Sequence, residues 1–234
     1  MITAIVPVKR LEAAKRRLSG LLSPLERKQL CLAMLFDVLD NLEKVDLVKE
    51  IYIVTSDEKI EAIVTAHYKT VQTIREPEDS NLNKALQHAT HYLEKFDVSR
   101  ILIIPADLPL IKTGEIESLV LAAENTSMTI APDKTYHGTN LLLLNLPSII
   151  QPCFGADSFW AHIKQAKEKG ISYNIFSTEY LLWDIDYPGD IPVFIYHGYG
   201  TRTYREIFRL GINNKIKSNN FNNINVIAQD SSIQ

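Results

Sequence analysis

The chain has 234 residues, of which 46% are hydrophobic and 23% charged; that is enough for one large α/β domain, and it excludes wholesale disorder. Lys plus Arg number 25 and Asp plus Glu 28, a net charge of -3, so the basic excess of a nucleic-acid-binding protein is missing. No apolar run approaches the ~20 residues of a membrane span, and the start, Met1 to Lys9, does not read as a signal peptide. Cys31 and Cys153 show no paired spacing. That fits a reducing compartment and excludes a thiolate zinc site, so the expected location is the cytoplasm.

Short apolar runs alternate with amphipathic ones along the chain. Ile2–Val6 reads as a strand and is followed by a basic loop, Lys9 to Arg17. Ser23-Pro24-Leu25-Glu26 predicts a helix start, with Ser as N-cap, Pro first and Glu three after the cap. Leu30, Met34, Val38 and Leu42 then mark one helix face. Ile51–Val54 predicts a strand, Asp57 to Tyr68 a helix, Thr70–Ile74 a strand, and Asn83 to Phe96 a helix. Arg100–Ile104 is apolar without alternation, the pattern of a parallel strand buried on both faces. A helix is expected over Thr113–Glu124, and strands over Met128–Ala131 and Asn140–Leu144. Ser158 is positioned to cap a helix ending at Gly170. Tyr173–Phe176 and Tyr180–Ile185 read as short strands, Pro188 opens a helix, and Tyr204–Leu210 follows. The Asn-rich segment from Gly211 reads as a weakly ordered extension. The pattern predicts one mainly parallel, doubly wound α/β domain over residues 1–210. An antiparallel insertion or edge is expected around residues 127–185, and a polar extension over 211–234.

In such sheets, ligands bind beyond the carboxyl ends of the strands. Four chemically loaded loops meet that condition. The first carries Lys9, Lys15, Arg16 and Arg17, cations suited to a polyphosphate; the alternative is a solvated basic face. It has neither a Walker sequence nor a Gly-rich dinucleotide fingerprint. The second, Pro105-Ala106-Asp107-Leu108-Pro109, sets a carboxylate between two prolines, suited to Mg²⁺; the alternative is an Asp that caps a turn. The third, Trp183-Asp184-Ile185-Asp186-Tyr187-Pro188, has two acids spaced to share a face in extended chain. With Asp107 they form a possible site for one or two divalent ions, and Asp186 is also a possible cap of the next helix. The fourth is a pair, His137-Gly138-Thr139-Asn140 and Phe154-Gly155-Ala156-Asp157-Ser158-Phe159. Its glycines, hydroxyls and helix start suit a small carboxylate or phosphate. The six histidines show no metal-ligand spacing, and no nucleophilic triad is apparent.

These loops, in this order, resemble the 2-phospho-L-lactate guanylyltransferase family of coenzyme F-420 biosynthesis, whose bacterial members act on phosphoenolpyruvate. The resemblance spans roughly residues 1–210. It rests on Ala4–Lys9, Ala14–Ser19, Asn81–Leu86, Ala106–Leu110, Gly138-Thr139-Asn140, Phe154–Phe159 with His162, and Asp184-Ile185-Asp186. The chain has Asn81 where the family usually has Gly, Tyr187 where a small or acidic residue is usual, and Gly189 where an acid is common. The resemblance implies a Rossmann-like, GT-A-like nucleotidyltransferase fold with a mixed, mainly parallel sheet. By the same resemblance Lys9, Lys15 and Arg17 hold the GTP phosphates, and Asn83 lies near the nucleoside. Asp107 and Asp186 bind Mg²⁺ with Asp184 as helper, and Thr139, Gly155 and Ser158 hold the carboxylate of the phospho-acid. Asp107, Asp186 and Lys15 are the implied catalytic residues. The family also implies a homodimer and hand-off of the unstable product to a downstream transferase. Two other readings are a nucleotidyltransferase with a sugar-phosphate or pterin acceptor, and a nucleotide-binding protein without turnover.

Overall fold

Strand β1 (Ile2–Pro7) lies inside the sheet because its residues are apolar on both faces. Ile2, Ala4 and Val6 point into one core and Ile5 into the other. It pairs in parallel with β2 (Val48–Thr55) on one side and β4 (Arg100–Ile103) on the other, and β2 pairs with β3 (Val71–Arg75). The remaining strands are β5 (Met128–Pro132), β6 (Thr139–Asn145) and β7 (Tyr173–Ile175), giving the order β3-β2-β1-β4-β6-β5-β7. This computed structural model describes residues 1–77, 80–148 and 150–218. Among the described residues only β6 runs against the other strands, antiparallel to both β4 and β5, while β7 is parallel to β5. The expected antiparallel insertion is thus one reversed strand. The buried run Ile101–Ile103 is flanked by a parallel neighbour on one side and an antiparallel one on the other.

Helices cover both faces. On one, α1 (Pro24–Leu42), α2 (Glu58–His67) and α4 (Thr113–Ala122) supply Val38, Leu39, Ile60, Val64, Ile116 and Leu119. On the other, α3 (Leu82–Glu94) and α5 (Ser158–Glu168) supply Leu86, Ala89, Phe159 and Ile163. The start of α1 follows its sequence: the Ser23 side chain accepts from the Glu26 backbone, and Glu26 returns a bond to the Ser23 N–H. A mixed, mainly parallel sheet flanked by helices is therefore what forms.

A third core lies beyond the carboxyl edge of the sheet. Leu18 from the β1 loop, Leu110 from the β4 loop and Ile185 from the acidic loop meet in it. They pack with residues of α1, α6 (Ile191–His197), α7 (Arg202–Arg209) and α8 (Ile212–Ser218). Burying a side chain of this size stabilises by ~1.5–3 kcal/mol, so these contacts fix the three loops relative to one another. Two sequence expectations change here. Tyr180–Ile185 is not a strand: Glu179–Leu182 form a 3-10 turn and the next residues run outside the ladder. The Leu181 carbonyl instead accepts from Asn140 Nδ2, and the Ile185 N–H bonds the Asp107 carbonyl. The stretch after Gly211 begins as a helix, because Ile212 and Ile216 are buried one turn apart. The rest of the expected extension, 219–234, lies outside the described residues.

Candidate active site

The loops after β1, β4 and β5 leave the same sheet edge. Because β6 runs in reverse, its first residues, Thr139 and Asn140, reach that edge too. The result is a cleft of about 730 Å³ lined by Lys9, Lys15, Arg17, Asp107, Thr139, Gly155, Ser158, Asp184 and Asp186, among others. All but one of the residues expected to act from sequence are brought together here. The exception is Asn83. Its amide Nδ2 donates to the Phe154 carbonyl at 3.0 Å, and its Oδ1 accepts the Phe154 N–H at 2.6 Å. Both ends of that amide are committed to shaping the wall.

Lys15 stands at the centre. Its backbone is left-handed (φ 50, ψ 43), uncommon for a residue with a Cβ. Its Nζ lies 2.6 Å from Asp107 Oδ2 and 2.7 Å from Asp186 Oδ1, with the side chain only 10% exposed. Burial disfavours its charge, but Asp107 and Asp186 outweigh burial and hold the ammonium above its ordinary pKa. The loop that presents it is tied down. The Leu11 N–H bonds Asp57 Oδ2, Leu18 is fully buried, and the Arg27 guanidinium bonds the carbonyls of Ala14 and Leu22. Arg17 bonds Asp186 Oδ2 at 2.5 Å and lies over the Tyr187 ring.

Asp107, Asp184 and Asp186 each offer an oxygen within 4.8 Å of the others. For Asp186, burial raises the pKa, but Lys15, then Arg17 and Lys134, pull it below the ordinary value. Among the described residues Asp184 has no hydrogen-bonded cation, and Lys134 and Lys15 pull on it only from a distance. Burial, then the charges of Asp107 and Asp186, push its carboxyl up to about 6. Three hard oxygen donors at this spacing could hold a divalent metal ion.

Other lining residues include two glycines and the start of α5. Gly155 has φ 135, a conformation essentially reserved for glycine, and a Cβ on Gly138 would lie 2.7 Å from Asp133 Oδ2. Ser158 is the first residue of α5, and Asp157, in the left-handed region, takes the cap position expected of Ser158. The Ser158 hydroxyl is buried and has no hydrogen-bond partner among the described residues. Thr139 Oγ1 lies 3.2 Å from His162 Nδ1, and the Cys153 N–H donates to His162 Nε2 at 3.0 Å. An acceptor at Nε2 puts the proton on Nδ1. Burial pushes the pKa of His162 down to about 4, so the ring is neutral.

Two residues that sequence reasoning missed complete the acidic loop. Asp190, 5% exposed, accepts the backbone N–H groups of Asp186 (2.9 Å) and Tyr187 (2.7 Å) on Oδ2. Its other oxygen pairs with Lys134, from the loop between β5 and β6. The available signal was an acid two residues after Pro188, in the third position of a capping turn. Lys134 had none.

Cations facing a carboxylate cluster at this sheet edge suit the handling of a nucleotide's phosphates, and the fold is that of the nucleotidyltransferase class. A structure from Desulfovibrio desulfuricans G20, described as a nucleotide-diphospho-sugar transferase, superposes with a TM-score of 0.76 at 15% identity, over 93% of this chain and 98% of that one. A nucleotidyl transferase from Methanothermobacter thermautotrophicus gives 0.60 at 16% identity, over 93% and 99%. In sequence, a family described as "Guanylyl transferase CofC like" matches residues 2–229. The 2-phospho-L-lactate guanylyltransferase of Methanosphaera stadtmanae is 33% identical over 90% of this chain and 91% of its own length. The phosphoenolpyruvate guanylyltransferase of Sphaerobacter thermophilus is 35% identical over 80% and 89%. The chain belongs to the CofC-like guanylyl transferase family, and it is an enzyme of the nucleotidyltransferase class.

Proposed function

We propose that the protein transfers the guanylyl group of GTP to the phosphate of a small phospho-carboxylic acid, releasing pyrophosphate, in coenzyme F-420 biosynthesis. The acceptor is 2-phospho-L-lactate or phosphoenolpyruvate, the compounds in the names of its relatives. One observation supports this reading beyond the family: Lys15 and Arg17 converge on Asp107 and Asp186 in a cleft that Ser158 also lines, and the Ser158 hydroxyl has no hydrogen-bond partner among the described residues.

The chemistry asks little of a nucleophilic side chain. A phosphate monoester oxygen attacks the α-phosphorus of GTP, and the bond to the pyrophosphate oxygen breaks. The attacking group is already an anion, so no strong base is needed; the enzyme must bring two polyanions together. In this reading Lys9, Lys15 and Arg17 receive the triphosphate and offset its charge. Thr139, the Gly155 backbone and Ser158 receive the acceptor carboxylate. Neutral His162 orients the Thr139 hydroxyl and holds the Cys153–Phe154 loop, and Asn83 fixes Phe154 from the other side. Asp107 and Asp186, with Asp184, would hold Mg²⁺, which supplies Lewis-acid charge neutralisation at the phosphates. A mechanism of this kind needs no thiolate; Cys31 lines the same cleft, but burial pushes its thiol up to about 12, so it stays protonated.

The same reading includes a cytoplasmic homodimer that hands its product to the next transferase, with residues 1–210 as the catalytic domain and 211–234 as its extension. No helix among the described residues is long and apolar enough to cross a membrane. Light scattering of the full chain tests the dimer.

The experiment is pyrophosphate release with GTP and Mg²⁺, offering 2-phospho-L-lactate, phosphoenolpyruvate, 3-phospho-D-glycerate, a sugar phosphate and a pterin separately. The downstream transferase and its deazaflavin acceptor are present to draw off product. Release with one of the first two is expected. Release only with a sugar phosphate or a pterin, or GTP binding without release, would sink the reading.

A further inference from the structure

A carboxylate cluster without a cation is costly, because three acids within reach of one another repel. Here a cation is already present. Lys15 Nζ sits within hydrogen-bond distance of Asp107 and Asp186 together, at 2.6 and 2.7 Å, and is largely withdrawn from solvent. A divalent ion bound to these carboxylates at the ~2.1 Å typical of Mg²⁺ would come into contact with that ammonium. The two cations compete for one set of oxygens.

The surroundings favour exchange by the side chain alone. Leu18 and Arg27 hold the backbone on either side of Lys15, whereas the Lys side chain is a flexible stem carrying a point charge. Lys134 keeps its pair with Asp190, which holds the Asp186 backbone, so a cation stays beside the acidic loop when Lys15 leaves. What Lys15 needs in order to leave is another anion in the same cleft.

The geometry points to Lys15 as a built-in counter-ion that occupies the cation position of the Asp107–Asp184–Asp186 cluster until a polyphosphate draws it away. The inference rests on the reading of these acids as metal ligands and of Lys15 as a phosphate ligand. Its consequence is coupling. Free protein binds divalent metal weakly, a bound triphosphate gives Lys15 a new partner and releases the carboxylates, and by reciprocity metal strengthens nucleotide binding.

The test needs no turnover. Binding of Mn²⁺ alone to the full nucleotide-free chain is measured by electron paramagnetic resonance for the wild type and for Lys15→Met. At least ten-fold tighter Mn²⁺ binding by the variant is expected. Equal or weaker binding by the variant overturns the inference and leaves the ligand assignment standing; binding by neither protein overturns both together. Should Lys15→Met fail to fold, the wild type decides by itself. Its Lys15 ammonium resonance, observed with ¹⁵N-labelled lysine, should shift or broaden as Mg²⁺ is titrated in. An unmoved resonance after the Asp107 and Asp186 carboxyl signals have saturated overturns the inference.

Discussion

Asp190 holds Asp186 by its backbone: Asp190 Oδ2 lies 2.9 Å from the Asp186 nitrogen and 2.7 Å from that of Tyr187. The carboxylate facing the cleft is thus aimed by a second, buried carboxylate four residues on, itself neutralised by Lys134. Asp190→Ala leaves two N–H groups and the Lys134 ammonium without this partner. A loss of ~2–4 kcal/mol in stability is expected, with turnover down about ten- to a hundred-fold. Asp190→Asn keeps an accepting oxygen and should recover part of both. Denaturant melts and kcat for the two variants check this; wild-type turnover in a folded Asp190→Ala protein would show that Asp186 needs no such support.

Asp107 separates activity from stability. Its side chain is partly exposed and its fold contribution runs through one bond to Lys15, which keeps Asp186. Asp107→Asn should lower turnover by about a hundred-fold or more, comparable to losing a preorganised charge at a reacting centre. Its melting midpoint should stay close to the wild type. Normal turnover in the folded variant would remove Asp107 from the catalytic set.

Ser158 gives the complementary test at the acceptor end. Its buried hydroxyl has no hydrogen-bond partner among the described residues, so Ser158→Ala costs the fold nothing in hydrogen bonds and should leave stability within ~0.5 kcal/mol or raise it. The KM for the phospho-acid should rise about ten-fold, as for loss of one hydrogen bond to a charged group. An unchanged KM would mean that the hydroxyl does not meet the acceptor.

His162 makes stability depend on pH. Burial disfavours the charged ring and pushes its pKa down from the ordinary 6.5 to about 4. The unfolded chain therefore binds more protons between those values. Stability should rise with pH through about 4 to 6.5 and be lost as pH falls through that window, by about 3 kcal/mol in all. His162→Gln should flatten that part of the profile. Denaturant midpoints at several pH values read both proteins, and identical slopes would contradict the assignment.

Local signals made much of this protein legible. Ser23, Pro24 and Glu26 carry a complete helix start within four residues, and the apolar run at Ile101–Ile103 marks a strand buried on both faces. The cleft residues were visible because chemistry clusters at strand ends. What escaped depends on partners distant in sequence. The Tyr180–Ile185 segment has the aromatic and apolar content of a strand, yet Asn140 and Asp107 take up its backbone groups. Ile212 and Ile216 read as stray apolar residues among asparagines until the third core gives them something to cover. Asn83, which the resemblance sets near the nucleoside, has an amide that closes on Phe154, 71 positions away. Lys134 is one lysine among many until Asp190 meets it across 56 residues.

The most direct test of guanylyl transfer follows the α-phosphorus itself. GTP labelled at that atom is incubated with the protein, Mg²⁺ and either phospho-acid, and the label is located by mass spectrometry. The account predicts label in a guanylylated phospho-acid, formed by the wild type and nearly absent with Asp107→Asn. Label remaining in GTP, or appearing only as GMP, from folded protein shown to bind GTP would contradict it.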